Sequence, residues 1–318
     1  MQMNKKQVSE TKITPTQMAE AVIRSGYLLE QRVFPIIEKA GFYVETNPAL
    51  PDPVTGKSRE YDFSALSAIK VYREDWDFLW IHLIGECVNN SLPIVFFSSE
   101  KITHFLFHED LKCSGIPLKF PWREKEDEEI SFQDFFHLDK FHHYCRGRYS
   151  TQYCSFQHKS GKLEWLAWHD DEHHSLFNTL VAATEYEMDD FFSSWELPEK
   201  DEEEALNLNL FYPLLIIKSD LYECKQKRGK PVFTRRKHIQ FRKSVVSRQQ
   251  QKTFHIDVIT ESYLKNYLDL LEEEHEELTT RLKRKKKEVR SAIDRIVSQA
   301  RAAKRKEKRK DFRDILEF

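Results

Sequence analysis

Three apolar runs follow one another between residues 61 and 97, and they constrain the chain more than any other stretch. They are residues 61–69 (YDFSALSAI), 77–88 (DFLWIHLIGECV) and 92–97 (LPIVFF), dense in aromatic and branched side chains and separated by polar turns. Runs of this kind predict neighbouring strands of one sheet. Two carboxylates, Asp62 and Glu86, stand inside them. An ionised carboxylate in an apolar strand is costly unless a cation or hydrogen-bond donors meet it, so two in adjacent strands point to a shared cation. The alternative is that each pairs with a nearby Lys or Arg. Strand alternation puts Glu86, Val88 and Asn90 on one face, with Leu83, Gly85 and Cys87 on the other.

The residues before these runs read as helix, then strand. Thr14, Pro15 and Gln17 form a capping-box start, Gly41 is a natural stop, and Pro35 lies where it would kink the helix between them. Ile23, Tyr27, Glu30, Phe34 and Ile37 recur at helical spacing, which places Glu30 on the apolar face. A buried salt bridge would account for it, as would a metal. Residues 41–46 (GFYVET) predict a first strand. The Pro- and Gly-rich loop after it carries Lys57 and Arg59, which either track a substrate backbone or lie in solvent.

Asp62, a gap of 23 residues, Glu86-Cys87-Val88, a polar turn and LPIVFF together resemble the active-site core of the PD-(D/E)XK nuclease superfamily. There an Asp on one strand is followed by Glu-x-Lys on the next; here the lysine position is Val88. The resemblance covers residues 16–100 well and 211–272 loosely. It implies an α/β fold, a restriction-endonuclease-like mixed sheet flanked by helices, with residues 100–205 as a large insertion. It also implies metal-dependent cleavage of nucleic acid, DNA favoured, with Mg2+ or Mn2+ held by Asp62, Glu86 and a backbone carbonyl near Cys87. A first-helix glutamate often joins such sites, which adds Glu30. The implied catalytic residues are Asp62 and Glu86, and Asn90 is the nearest polar substitute for the lysine on Val88's face. Lys70 lies too far along its strand, and Lys101 serves only if the chain folds back. Superfamily members with replaced lysines include active and inactive proteins. Two readings therefore stand: a nuclease, or a nuclease-like scaffold that binds nucleic acid or protein without cleaving.

The net charge of −2 hides an asymmetry: residues 281–310 carry 15 Lys and Arg against three acids. A basic end on an acidic body suits a polyanionic partner or the protein's own surface. A second basic stretch lies in residues 225–248, interleaved with Phe233 and Phe241. Arg235, Arg236, Lys237, Lys285, Lys286 and Lys287 are the candidate nucleic-acid contacts. Residues 211–219 and 253–260 predict strands that complete the same sheet. From Thr260 onward the sequence lacks Gly and Pro, and Leu264, Leu268, Leu271, Leu278, Leu282, Val289, Ala292 and Ile296 trace a heptad seam interrupted by His275 and Lys285. One long helix is expected, pairing as a homodimer, pairing with another protein as a coiled-coil module, or folding back on the body.

The implied organisation is a flexible stretch 1–13, a nuclease-like domain 14–270 and a basic C-terminal helix 271–318. No apolar run approaches the roughly 20 residues of a membrane span, and the polar start has no signal-peptide core, so a cytoplasmic protein without membrane attachment is expected. Five scattered cysteines without a CxxC fit reduced thiols. His142, His143, Cys145, Cys154 and His158 have only a loose likeness to a zinc site. Asp170 or Asp171 starts a helix with Leu176, Leu180 and Val181 on its apolar side, where His169, His173 and His174 read as a solvated helix start. An acidic linker around residues 193–209 follows.

Overall fold

The computed structural model describes residues 13–25, 27–51, 56–72, 76–101, 107, 110–121, 128–158, 164–168, 171–194, 204–247 and 250–305. Residues 1–12, His169, most of the acidic linker, Arg248 and the basic tail beyond 305 lie outside the described residues, as do the side chains of His173 and His174.

The chain opens with two helices instead of the single one expected. Thr14 caps α1 (Pro15–Arg24) through the predicted box: its hydroxyl accepts from Gln17 N at 3.2 Å, and Gln17 Oε1 accepts from Thr14 N at 2.9 Å. Ser25, in extended conformation, ends that helix, and α2 (Tyr27–Lys39) starts a new one. The helical spacing therefore does not run through from Ile23. Ile23 and Tyr27 are 55% and 67% exposed, while Leu29, Val33, Phe34 and Ile37 of α2 enter the core. Pro35 is absorbed within α2, and Gly41 turns the chain out of it with a φ of +89°.

Strand β1 (Tyr43–Thr46), a small hairpin of β2 (Ala49–Pro51) and β3 (Ser58–Glu60), then β4 (Phe63–Lys70), β5 (Phe78–Val88) and β6 (Ile94–Glu100) follow. All but the hairpin belong to one twelve-stranded mixed sheet. The segment expected to be an insertion supplies β7 (Lys112–Ile116), a second small hairpin of β8 (Lys119–Pro121) and β9 (Glu129–Ser131), and the short helix α3 (Phe132–Phe135). It continues with β10 (Arg148–His158), β11 (Trp165–Trp168) and the 24-residue helix α4 (Asp171–Ser194). Much of this segment is integral to the sheet, since β7, β10 and β11 are strands of it.

The sheet is built around β12 (Asn207–Ile217), buried along almost its whole length. It runs parallel to β5 on one side; on the other, β7 pairs with its first half and β16 (Gln250–Thr260) with its second. A proline in a central strand forfeits a ladder hydrogen bond. Pro213 falls at the changeover, after the β7 pairing ends at Phe211 and before the β16 pairing starts at Leu214. The sheet continues through β15 (His238–Ser247), β10 and β6 to the edge hairpin of β13 (Leu221–Lys227) and β14 (Lys230–Arg236).

Both faces of this sheet are covered, which is why β12 reads as a continuous apolar run. One face packs α2, residues 132–144 and the C-terminal helices; the other packs α4 through Phe177, Leu180, Val181 and Ala183. The C-terminal segment is also two helices, α5 (Leu264–Arg284) and α6 (Lys286–Arg305), divided at Lys285. Every residue of the heptad seam, from Leu264 to Ile296, is at most 7% exposed and lies in the core of the chain itself. The fold-back alternative therefore holds, and the seam is not free to pair with a second copy. Leu282→Ala is expected to lower stability by about 2–5 kcal/mol, the usual range for a buried leucine, with no change in oligomeric state. Denaturant melts and sedimentation check this; a dimer that falls apart in the variant would restore the seam as an interface.

Candidate functional site

Strand parity brings the acids together from both sides of one hairpin. Leu79, Ile81, Leu83 and Cys87 of β5 face the α2 side of the sheet, while Ile84 and Val88 face the α4 side, so Glu86 emerges with the latter. Phe63 pairs with Gly85 across the β4–β5 ladder, and the same antiparallel register carried one step back sets Asp62, just ahead of β4, opposite Glu86. The Cys87 N–H donates to Asp62 Oδ2 at 2.6 Å. Cys87 thus meets the site through its amide, while its thiol is buried on the other face.

Asp62 and Glu86 lie close enough for the charge of Asp62 to act on Glu86. Burial raises the Glu86 carboxyl most, and the charges of Asp62 and Glu30 add to it. Its pKa is pushed up to about 9. Burial also raises Asp62, against the opposing pull of the Cys87 N–H and of Glu86. Glu30 of α2 is half-buried, and its pKa is raised by burial first and by Asp62 second. The three predicted carboxylates therefore act on one another, although their oxygens do not form a set lying mutually within 4.8 Å. Desolvated carboxylates whose charges act on one another offer oxygen donors for a hard divalent ion.

Asn90 and Lys101, the two candidates for the lysine's place, both bond elsewhere. Strand β5 ends at Val88, so alternation does not extend to Asn90. The Asn90 amide donates to Leu92 O at 2.8 Å and to Ser219 Oγ, bracing a turn. Lys101 does fold back, but into a different place: it is 4% exposed and donates to the carbonyls of Tyr144 and Arg146 and to Gln240. The cation whose charge reaches Glu86 is Arg59, on β3. Its Nη1 also donates to Thr179 of α4 at 3.4 Å, and Tyr61 OH donates to Glu187 of the same helix at 2.7 Å. The small β2–β3 hairpin and α4 together set Arg59 over the acids. Sequence could mark Arg59 only as a loop cation, because the contact depends on a hairpin closing far from Glu86 in the chain.

The candidate nucleic-acid contacts fall into two groups. Arg235 bonds Asp220, and Arg236 bonds Glu223 at 2.6 Å, so acids of the same hairpin meet both; Lys237 is exposed. Lys285 Nζ donates to Phe135 O at 2.6 Å and stands 3.8 Å over that ring, and Lys286 lies 5.1 Å from the Tyr72 ring; Lys287 is exposed. Further along, Arg290 bonds Asp77 and Arg295 bonds Glu129 at 2.8 Å. Part of the basic C-terminal segment is thereby held by the acidic body.

The loose zinc set does not assemble. His158 stacks on Trp165 at 3.6 Å on the β10–β11 pair, while His142 and His143 are buried near α5. All five cysteines are free thiols, in line with the expectation of reduced cysteines. Among the described residues no helix is long and apolar enough to cross a membrane. No protein-family model, curated protein or solved structure matches the chain.

Proposed function

We propose that this protein is a metal-dependent nuclease, acting on DNA, with Glu30, Asp62 and Glu86 as the metal-holding carboxylates. The observation that carries the proposal is the convergence of Asp62, held by the Cys87 N–H, and the buried Glu86 on one hairpin, with the charge of Glu30 also reaching Glu86. The element order supports it: helix α2, an antiparallel meander β1–β4–β5, helix α4, then β12 parallel to β5, as a PD-(D/E)XK core would run.

Mg2+ or Mn2+ held by these oxygens supplies polarisation of the phosphate and a lowered pKa for an attacking water. The chain's own groups do the rest. The Cys87 N–H fixes the Asp62 carboxylate in place. Glu86 would release its proton to a bound divalent ion, so ion binding would strengthen as pH rises. Arg59 offers the positive charge that the missing lysine would bring to developing negative charge. The exposed Lys237 and Lys287 add sequence-independent attraction for a polyanion.

The test is incubation of the purified chain with linear, supercoiled and single-stranded DNA and with RNA, with and without Mg2+ or Mn2+. Cleavage that requires the metal supports the proposal. Nucleic-acid binding without cleavage would favour the second reading, a nuclease-like scaffold kept for binding, for which Val88 is the specific observation. Arg59→Ala is expected to lower kcat about 10²-fold with smaller loss in Arg59→Lys, the range seen when one charge-stabilising donor is removed. Unchanged turnover in Arg59→Ala would give the lysine's role to another group.

A further inference from the structure

A second cluster lies on the other face of the sheet from Glu86. Leu215 pairs with both Glu86 and Val258, whereas Asp257 pairs with Leu214, one residue out of phase. Asp257 is fully buried on β16, between the apolar Ile256 and Val258. Its Oδ1 is 2.7 Å from His238 Nε2 at the start of β15, and its Oδ2 is 3.1 Å from His143 Nε2. Tyr267 OH of α5 donates to the same Oδ2 at 2.8 Å. On the far side of His143, Nδ1 lies 2.8 Å from Glu274 Oε2.

We propose that His143, His238 and Asp257 hold a divalent transition-metal ion of the zinc class. Their ligand atoms all lie within 4.8 Å of one another. Two imidazole nitrogens and one carboxylate make the donor set that zinc takes with a fourth position left open. Around a tetrahedral ion with bonds of about 2.0–2.2 Å, ligand atoms stand about 3.3 Å apart, so the 2.7 Å and 3.1 Å contacts would widen by about 0.6 and about 0.2 Å.

Three further observations point the same way. Glu274 orients His143: Nδ1–H donates to the carboxylate and Nε2 is turned toward Asp257, the arrangement that commonly supports a metal-bound histidine. Glu274 Oε1 is buried and has no hydrogen-bond partner among the described residues, a sign that the cluster has negative charge to spare. Access comes through His238, whose ring forms part of the wall of a cavity of about 370 Å³ with Ser98, Arg148, Glu223, Arg236 and Gln240. His238 thus connects the cluster to a cavity in which Arg148 and Arg236 are both ion-paired with Glu223.

A neighbouring trio, His142, His143 and Glu274, is equally close but does not line the cavity that His238 reaches. His142 Nδ1 accepts the Tyr144 N–H at 3.1 Å, which leaves the ring proton on Nε2, the atom directed at Glu274. At the Asp257 site each Nε2 likewise donates to the carboxylate, and a metal would take the place of those protons.

The experiment uses the untagged full chain, stripped of metal and titrated with Co2+. One equivalent is expected to give strong tetrahedral-type visible absorption that Zn2+ abolishes. Glu274→Gln is expected to weaken binding about 10–100-fold, as loss of an orienting carboxylate usually does. His238→Ala is expected to lose the absorption, and His238→Cys to bring a sulfur-to-cobalt charge-transfer band absent from the parent. The Cys variant keeps the test valid should the Ala variant fold poorly. No tetrahedral spectrum in the parent, or no new band in His238→Cys, overturns the proposal. Glu86→Ala is expected to leave the cobalt spectrum intact, so this site and the proposed nuclease site stand or fall separately.

Discussion

Glu86→Ala and Glu86→Gln are expected to abolish Mg2+-dependent cleavage, a loss on the order of 10³-fold or more, because a metal-held water and phosphate are worth several kcal/mol of transition-state stabilisation. Glu86 is at once the most perturbed of the three acids, the neighbour of Asp62 and the group reached by Arg59. Removing its charge takes away both a ligand and the site's response to the ion. Asp62→Asn should fall in the same class, since the amide oxygen can still accept from the Cys87 N–H but brings no charge to the ion. Full activity in Glu86→Gln would refute the assignment of this site.

The same residue gives the metal-free protein a pH signature. The folded Glu86 pKa, about 9, lies above its ordinary value of 4.5, so the native state holds a proton that the unfolded chain has released. Its stabilising contribution is complete below pH 4.5 and is lost as pH rises through about 9. Asp62 is displaced in the same direction and adds to the trend. Thermal melts of the metal-free parent should therefore fall relative to Glu86→Gln as pH is raised from about 5 to about 9, by an amount on the order of a few kcal/mol. Mg2+ should restore the parent and leave Glu86→Gln almost unmoved. Parallel curves for the two proteins without metal would show that Glu86 is ionised in the native state.

What could be read from sequence was local. An acid in an alternating apolar strand stands out because burying it needs a partner, and that one cue found Asp62 and Glu86. It was equally present in the run TFHIDVIT, where Asp257 turns out to be fully buried. Its partners His143, His238 and Glu274 come from a turn, a strand start and a helix far apart in the chain, and no spacing announces such a set. The heptad seam was real as an apolar stripe, but a stripe has the same pattern whether it meets another copy or its own sheet. The break at Lys285 carries no Gly or Pro to mark it; there the lysine reaches across to the Phe135 carbonyl. The approach of Arg59 to Glu86 was likewise illegible, because it depends on β3 and α4 coming together in the fold.

Gly85→Ala is expected to destabilise the protein by about 3 kcal/mol, at the upper end for one added methyl group, and to remove activity with it. A Cβ at Gly85 would stand 1.9 Å from Phe63 Cζ, 2.1 Å from Cε1 and 2.6 Å from Cε2. That ring cannot swing aside, being fully buried and packed edge-on against Phe34 at 5.7 Å. The contact ties the two halves of the acidic site together: Phe63 follows Asp62, Gly85 precedes Glu86, and the two are paired in register. A slip of one residue would send Glu86 to the opposite face, so the ring lying flat on the glycine acts as a register lock. A displacement of about 1 Å at the site is enough to lower turnover on the order of 10²-fold. The double variant Gly85→Ala/Phe63→Leu should be more stable than the sum of its single changes implies, with a coupling of about 1–3 kcal/mol, because the smaller side chain makes room for the methyl. Strict additivity in that cycle would mean that Phe63 is not what holds β4 against β5, and the placement of Asp62 beside Cys87 would then need another cause.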